Sequence, residues 1–169
     1  MAIVAYPGRD FHEHVSLQPI VSSQLNSSEL TGAQQAVDIG YSLWMATVTV
    51  EAMDGACERA WRLFQGRVRG STNAFRLPIL DEAQHDGSYT VRAAGAGSGY
   101  TLATDGWPPS TTPLLAGDYV TVGDQLMLLD ADAVVDASGV ATLQFHSPLR
   151  GTVANNTVVE TKDPWLLAR

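Results

Sequence analysis

Between residues 41 and 77 the spacing of apolar residues changes period twice, which marks a strand–helix–strand unit. Over 41–51, Trp44, Ala46, Val48 and Val50 fall on one side, and Met45, Thr47, Thr49 and Glu51 on the other. Period two marks a strand with one covered face. Cys57, Ala60, Trp61, Phe64 and Val68 then recur at helical spacing, with Arg59, Arg62, Arg67 and Arg69 off that stripe. This spacing predicts an amphipathic helix over 54–69. Asp54 can cap its N-terminus and Gly70 can supply the left-handed residue at its end. Gly66 weakens the last turn by about 1 kcal/mol relative to Ala. Residues 73–77 read as extended again, stopped by Pro78. The prediction is one helix laid on a sheet by its Trp61 and Phe64 face.

Before this unit, residues 1–14 read as an arm, extended at 2–5 at most. Residues 16–25 read as a strand, and Pro19 inside it calls for an edge position. Residues 26–35 are small and polar. They are either a plain loop or the tip of a long hairpin pairing 16–25 with 37–51. Such a hairpin, projecting from a small sandwich, needs another chain to cover it.

After the unit, 81–87 is a loop, 89–93 is extended, and 95–99, with Gly95, Gly97 and Gly99, is a flexible break. A short strand over 100–104 ends in an Asp105, Gly106 turn. Residues 107–113 hold Pro108, Pro109 and Pro113 and read as a linker. Strands then come densely. Residues 118–122 and 125–129 flank Gly123 and Asp124, a tight hairpin whose first turn glycine suits a type II′ turn. Residues 133–135 and 140–145 flank a second turn, 153–161 is a further strand, and 165–167 closes the sheet. Short strands at even spacing indicate a small barrel or sandwich.

Charge narrows the function classes. The net charge is −8, and only 17% of residues are charged against 45% hydrophobic. General binding to phosphates needs clustered Lys and Arg, and the balance here opposes it. The distribution is uneven. Residues 59–76 contain five Arg and no acid, whereas from residue 77 onward eleven acids face four bases. One reading is a solvated helix face. The other is a basic face on one copy meeting an acidic face on a neighbour. Of the ten bases only Lys162 is a lysine, and Arg is the cation favoured at interfaces. Cys57 is alone, a small core hydrophobe without a disulfide framework. The N-terminus lacks a basic region followed by an apolar run, as a signal peptide would have. No run approaches the roughly 20 apolar residues of a membrane span.

Candidate chemistry is thin. His12 and His14 share a face if extended, but zinc needs three or four ligands and no CxxC or HExxH accompanies them. Gly95, Gly97 and Gly99 are followed neither by Lys-Ser/Thr nor by a helix, so a phosphate loop does not follow. His85 with Asp86, or His146 with Ser147, could seed a hydrolase triad, but there is no G-x-S-x-G elbow. Asp130 and Asp132 could line one strand face for acid–base work, yet they sit beside a hairpin. Trp107 and Trp165 raise sugar stacking. The reading is no enzyme, with no catalytic, metal or cofactor residues.

Two stretches carry a resemblance. One is Val68, Arg69 and Gly70 ending the helix, followed by Phe75, Arg76, Leu77 and Pro78. The other runs from Gly99 to Trp107, then 115–123, 136–143 and 147–150. This arrangement resembles the distal tail proteins, tail-tip components of long-tailed bacteriophages and gene transfer agents, over most of 41–169. The resemblance implies a mainly β chain with one α-helix: a tail-tube-like β-sandwich or barrel with a flanking helix, plus a small C-terminal β-barrel-like subdomain. The expected division is 1–94 for the sandwich with hairpin and helix, 95–113 for a linker, and 114–169 for the subdomain. It further implies a homohexameric ring adaptor between the tail tube protein and the baseplate hub protein, located in the virion and assembled in the host cytoplasm. In that family the long hairpin, here 16–51, joins neighbours into an inner wall. DNA would only pass through an acidic channel that repels it, and no membrane insertion is implied. Arg59, Arg62, Arg67 and Arg69 are the expected interface residues. The alternative is a carbohydrate-binding module that attaches the particle to a host surface.

Overall fold

The computed structural model describes residues 2–8, 14–29, 31–50 and 54–169. The elements in order are β1 (Ile3–Val4), β2 (His14–Ser27), β3 (Gln34–Thr49), α1 (Gly55–Val68), β4 (Ala74–Pro78), β5 (Val91–Ala93), β6 (Gly97–Asp105), β7 (Tyr119–Val122), β8 (Gln125–Leu128), β9 (Ala141–Val153), β10 (Val158–Glu160) and β11 (Trp165–Ala168). The fold is mainly β with one helix among the described residues.

Six strands form a barrel-like sheet in the order β8-β7-β10-β5-β6-β9, antiparallel throughout. It nearly closes on itself. Leu129, just past β8, bridges to Phe145 of β9, and the Asp130 N–H donates to Gln144 O at 2.9 Å. Closure removes sheet edges. Leu102, Val120, Met127 and Leu143 point inward and are almost fully buried. The β7–β8 turn is the predicted two-residue loop. Of Gly123 and Asp124 only the glycine has positive φ, at 60°, which fits a type II′ turn.

The expected division at 94 and 113 does not describe this molecule. Both β5, placed in the first unit, and β6, placed in the linker, are central barrel strands. Conversely, β11 leaves the barrel and pairs antiparallel with β4, which pairs parallel with β1 on its other side. Nor are the glycines of 95–99 a hinge. Gly97 and Gly99 lie inside β6, where the register against β9 shifts twice. A Cβ on Gly97 would stand 2.3 Å from Leu102 Cδ1, and Gly99 has φ 75°. Glycine inside a strand marks a bulge or a close approach, and here it marks both. Gly106 is similarly constrained. Its φ is 85°, and a Cβ there would meet Thr90 O at 2.2 Å.

The helix follows its sequence closely. Asp54 Oδ1 accepts from the N–H groups of Ala56 and Cys57 at 3.1 and 2.9 Å, a cap worth about 1 kcal/mol. Its C-terminus differs by one residue. Arg69 itself takes the left-handed conformation at φ 52°, and Gly70 follows at 64°. Phe64 is buried and stands edge-on to Phe75 of β4 at 5.0 Å and to Tyr6 at 5.6 Å. Trp61 packs edge-on against Tyr6 and Phe64 but remains half-buried.

Candidate functional site

The most unusual element is the two-stranded ribbon β2–β3. Its strands of 14 and 16 residues pair from His14↔Thr49 to Ser27↔Gln34, with a register shift between Val21 and Ser23. At about 3.3 Å per residue the ribbon is roughly 45 Å long. The tip spans 28–33, closed by Ser28 N–H donating to Ala33 O and Gly32 N–H to Ser28 O, both at 2.9 Å. The long-hairpin alternative is therefore the one adopted, beginning two residues before 16 and with a shorter tip than 26–35. Pro19 fits because a two-stranded ribbon consists only of edges.

Only the base of the ribbon is anchored. Val15, Leu17, Trp44, Ala46 and Val48 share one face and pack against Leu77, Ile79, Leu126 and Leu166. Trp44 Nε1 donates to Leu126 O at 2.9 Å, and its ring meets Tyr119 edge-on at 5.8 Å. This packing leaves a groove of about 770 Å³ between β3 and the β4–β11 pair, floored by Trp44, Val48, Phe75, Leu77 and Leu166. Among the described residues the opposite face is exposed. Ile20 lies opposite Leu43, and Met45 is two pairs along on the same face; they are 41%, 44% and 50% exposed. Nearer the tip, Leu25 is exposed as well. The period-two pattern of 41–51 assigns Met45 to the outer side. The same parity places Leu43 there; Ile20 carries no such signal, because it joins the patch only through the cross-strand register.

The four arginines lie where the helical spacing predicts. Arg59, Arg62, Arg67 and Arg69 are all exposed, away from the stripe of Cys57, Phe64 and Val68. Arg62 pairs with Glu58 one turn before it. Among the described residues Arg59, Arg67 and Arg69 have no ion-pair partner.

The candidate catalytic groups do not assemble into a triad, although His146 Nδ1 stands 3.9 Å from Asp130 Oδ1, with both side chains exposed. His12 lies outside the described residues, so the metal reading of His12 and His14 is not addressed. Among the described residues no three His, Cys, Asp or Glu side chains come together as a metal site. His85 Nδ1 accepts from Gly87 N–H at 3.1 Å, so Nε2 carries the proton and donates to Thr161 Oγ1 at 3.1 Å. Its ring stacks on Tyr89 at 4.8 Å. Burial lowers the His85 pKa and the Lys162 charge lowers it further, against opposing pulls from Glu160, Asp163 and Asp86. Nδ1 thus braces the 79–90 segment internally, and Nε2 holds it on Thr161 beside β10. Next to His85, Gln84 does the same by donating to Tyr119 O and Thr161 O at 2.7 and 2.8 Å and accepting from Tyr119 N–H at 2.9 Å. His146 is exposed and Ser147 buried, on opposite faces of β9, so they cannot act together. Asp130 and Asp132 are exposed. Trp107 is in the barrel core, its Nε1 donating to Thr104 Oγ1 at 2.8 Å, and Arg76 covers the Trp165 ring at 4.3 Å. Neither indole is an open platform for a sugar. No helix among the described residues is long and apolar enough to cross a membrane. Neither a protein-family model nor a curated protein sequence matches this chain.

Proposed function

We propose that this chain is a structural protein that assembles into a ring at the tail tip of a bacteriophage or a related phage-like particle. It joins the tail tube protein to the baseplate hub protein, and DNA only passes through its channel. One observation carries this reading: a barrel with a single helix bears a ribbon of about 45 Å whose outer face holds Ile20, Leu43 and Met45 uncovered. An isolated two-stranded ribbon is marginal in water, so a ribbon of this length gains its stability from neighbours. Side-by-side ribbons from a ring of copies bury those side chains and line a channel. The negative charge of each copy then keeps passing DNA from sticking to the wall.

Native mass spectrometry and negative-stain imaging of the purified protein test this directly. The expected result is a ring whose mass is six times the 18.1 kDa of one chain. Replacing Ile20, Leu43 and Met45 together by Ser should dissolve the ring while the barrel stays folded. A wild-type protein that remains monomeric at every concentration, even in the presence of a tail tube end, would sink the reading.

A further inference from the structure

We propose that the outer face of α1 docks on the acidic barrel rim of a second copy, formed by residues 115–118 and 129–134, in a head-to-tail contact. This deepens the ring reading and rests on it, since it presumes that copies meet.

The helix face has a definite composition. Helical spacing places Arg59, Arg62, Leu63 and Gly66 together, with Arg67 flanking. At its centre Leu63 is 54% exposed, and nothing lies within 4 Å of where a Gly66 Cβ would be. This is an apolar centre in a ring of guanidinium groups, most of them without an ion-pair partner among the described residues.

The rim is its complement in both respects. Leu115 and Val134 are 56% and 68% exposed. Their two segments lie side by side, with Ala133 N–H donating to Leu114 O and Gly117 N–H to Leu129 O, both at 2.9 Å. Around them stand Asp118, Asp130 and Asp132. Two of these carboxylates are held in place before any partner arrives. Asp118 Oδ2 accepts from Leu115 N–H, and Asp132 Oδ1 accepts from Ala116 N–H, both at 2.8 Å. Fixing them in advance reduces the entropy lost on pairing with Arg. An apolar centre within a charged rim is the usual anatomy of a specific interface.

The two surfaces belong to different parts of one chain. Each copy therefore offers its helix to one neighbour and its rim to the other, the arrangement that closes into a ring or grows into a filament. Nucleic acid fits the helix face less well, because a chain of net charge −8 repels phosphate at long range.

A reciprocal charge swap tests this on the full chain. One variant carries Arg59→Glu and Arg67→Glu, the other Asp130→Lys and Asp132→Lys. Circular dichroism first shows that both are folded. Each alone should self-associate at least about tenfold more weakly than wild type, as expected for like charges facing each other. Mixed in equal amounts they should recover, because alternating copies restore every pairing. Assembled wild type with unaffected single variants overturns this contact and leaves the ring reading standing. Weakened single variants that fail to recover on mixing overturn it too. A wild type that is monomeric up to millimolar concentration, even in the presence of a tail tube end, overturns both. Binding of a short DNA duplex by wild type, lost in the Arg variant, would assign the face to nucleic acid and overturn the proposal.

Discussion

Leu102 and Leu43 are both leucines within β-strands, and only one of them is covered. Leu102 lies in β6, with strands on both sides and a closed barrel around it, and is 1% exposed. Leu43 lies in β3, with β2 as its one strand partner and nothing over its outer face, and is 44% exposed. The barrel satisfies its own backbone and fills its own interior. The ribbon does so only at its base, through Trp44 and its neighbours on the inner face. The first region is complete as a single chain. The second leaves Ile20, Leu43 and Met45 of its outer face exposed.

Substitutions can break this contrast. Leu102→Ala should cost about 3 kcal/mol by chemical denaturation, since it leaves a cavity in a packed interior. If Leu43→Ala cost as much in the monomer, the contrast would be false. Two intermediate variants sharpen the boundary between the regions. Asp54→Ala should cost about 1 kcal/mol through loss of the helix cap, measured as a shift in the same denaturation midpoint. Trp44→Phe removes the N–H that reaches Leu126 O, also about 1 kcal/mol. Its signature should be regional, with faster amide exchange in β2 and β3 and none in β5, β6 and β9. Leu43→Ala itself should change monomer stability by less than about 0.5 kcal/mol.

The 79–90 segment, held on Thr161 by His85, should respond to pH. His85 is held neutral in the folded chain with its pKa lowered by burial and by Lys162, below the ordinary 6.5. The unfolded chain then binds more protons than the folded one between those two values, so stability declines as pH falls below about 6.5. The decline ends once pH passes the lowered folded value. Melting temperature against pH should flatten through this window in His85→Gln. Superimposable profiles for the two proteins would show that His85 is not the group responsible.

Local features were readable in advance because they depend on residues close together in the chain. Period two over 43–50, the part of 41–51 whose side chains are described, the stripe of Cys57, Phe64 and Val68, the Asp54 cap and the Gly123 turn all appear where their spacing puts them. The helix end is off by one residue, because Arg69 takes the left-handed conformation before the glycine that seemed meant for it. The division at 94 and 113 fails for a different reason. Glycines 95, 97 and 99 and prolines 108, 109 and 113 have the composition of a linker. In β6, however, glycine is required by the approach of Leu102 and by the bend of β9, and neither neighbour can be inferred from the glycines themselves. The arginine face was visible from spacing alone. The outer patch of the ribbon was not, because Ile20 and Leu43 are 23 positions apart and meet only through the strand register.

By itself the sequence determined most of the strand positions, though not that 133–135 stays irregular or that 97–99 and 146–152 are strand, and it determined where the helix starts, which of its faces is buried, and that its other face is basic. Periodicity, capping and charge act within a few residues, so the order of amino acids is enough to set them. Which strands pair was decided only in three dimensions. The return of β11 to β4, the closure of β8 on β9 through Leu129 and Phe145, and the ribbon left standing past its anchored base all depend on contacts across long loops. Their energies depend on how apolar surfaces from distant segments fit together, and the linear pattern of a single segment carries no record of that fit.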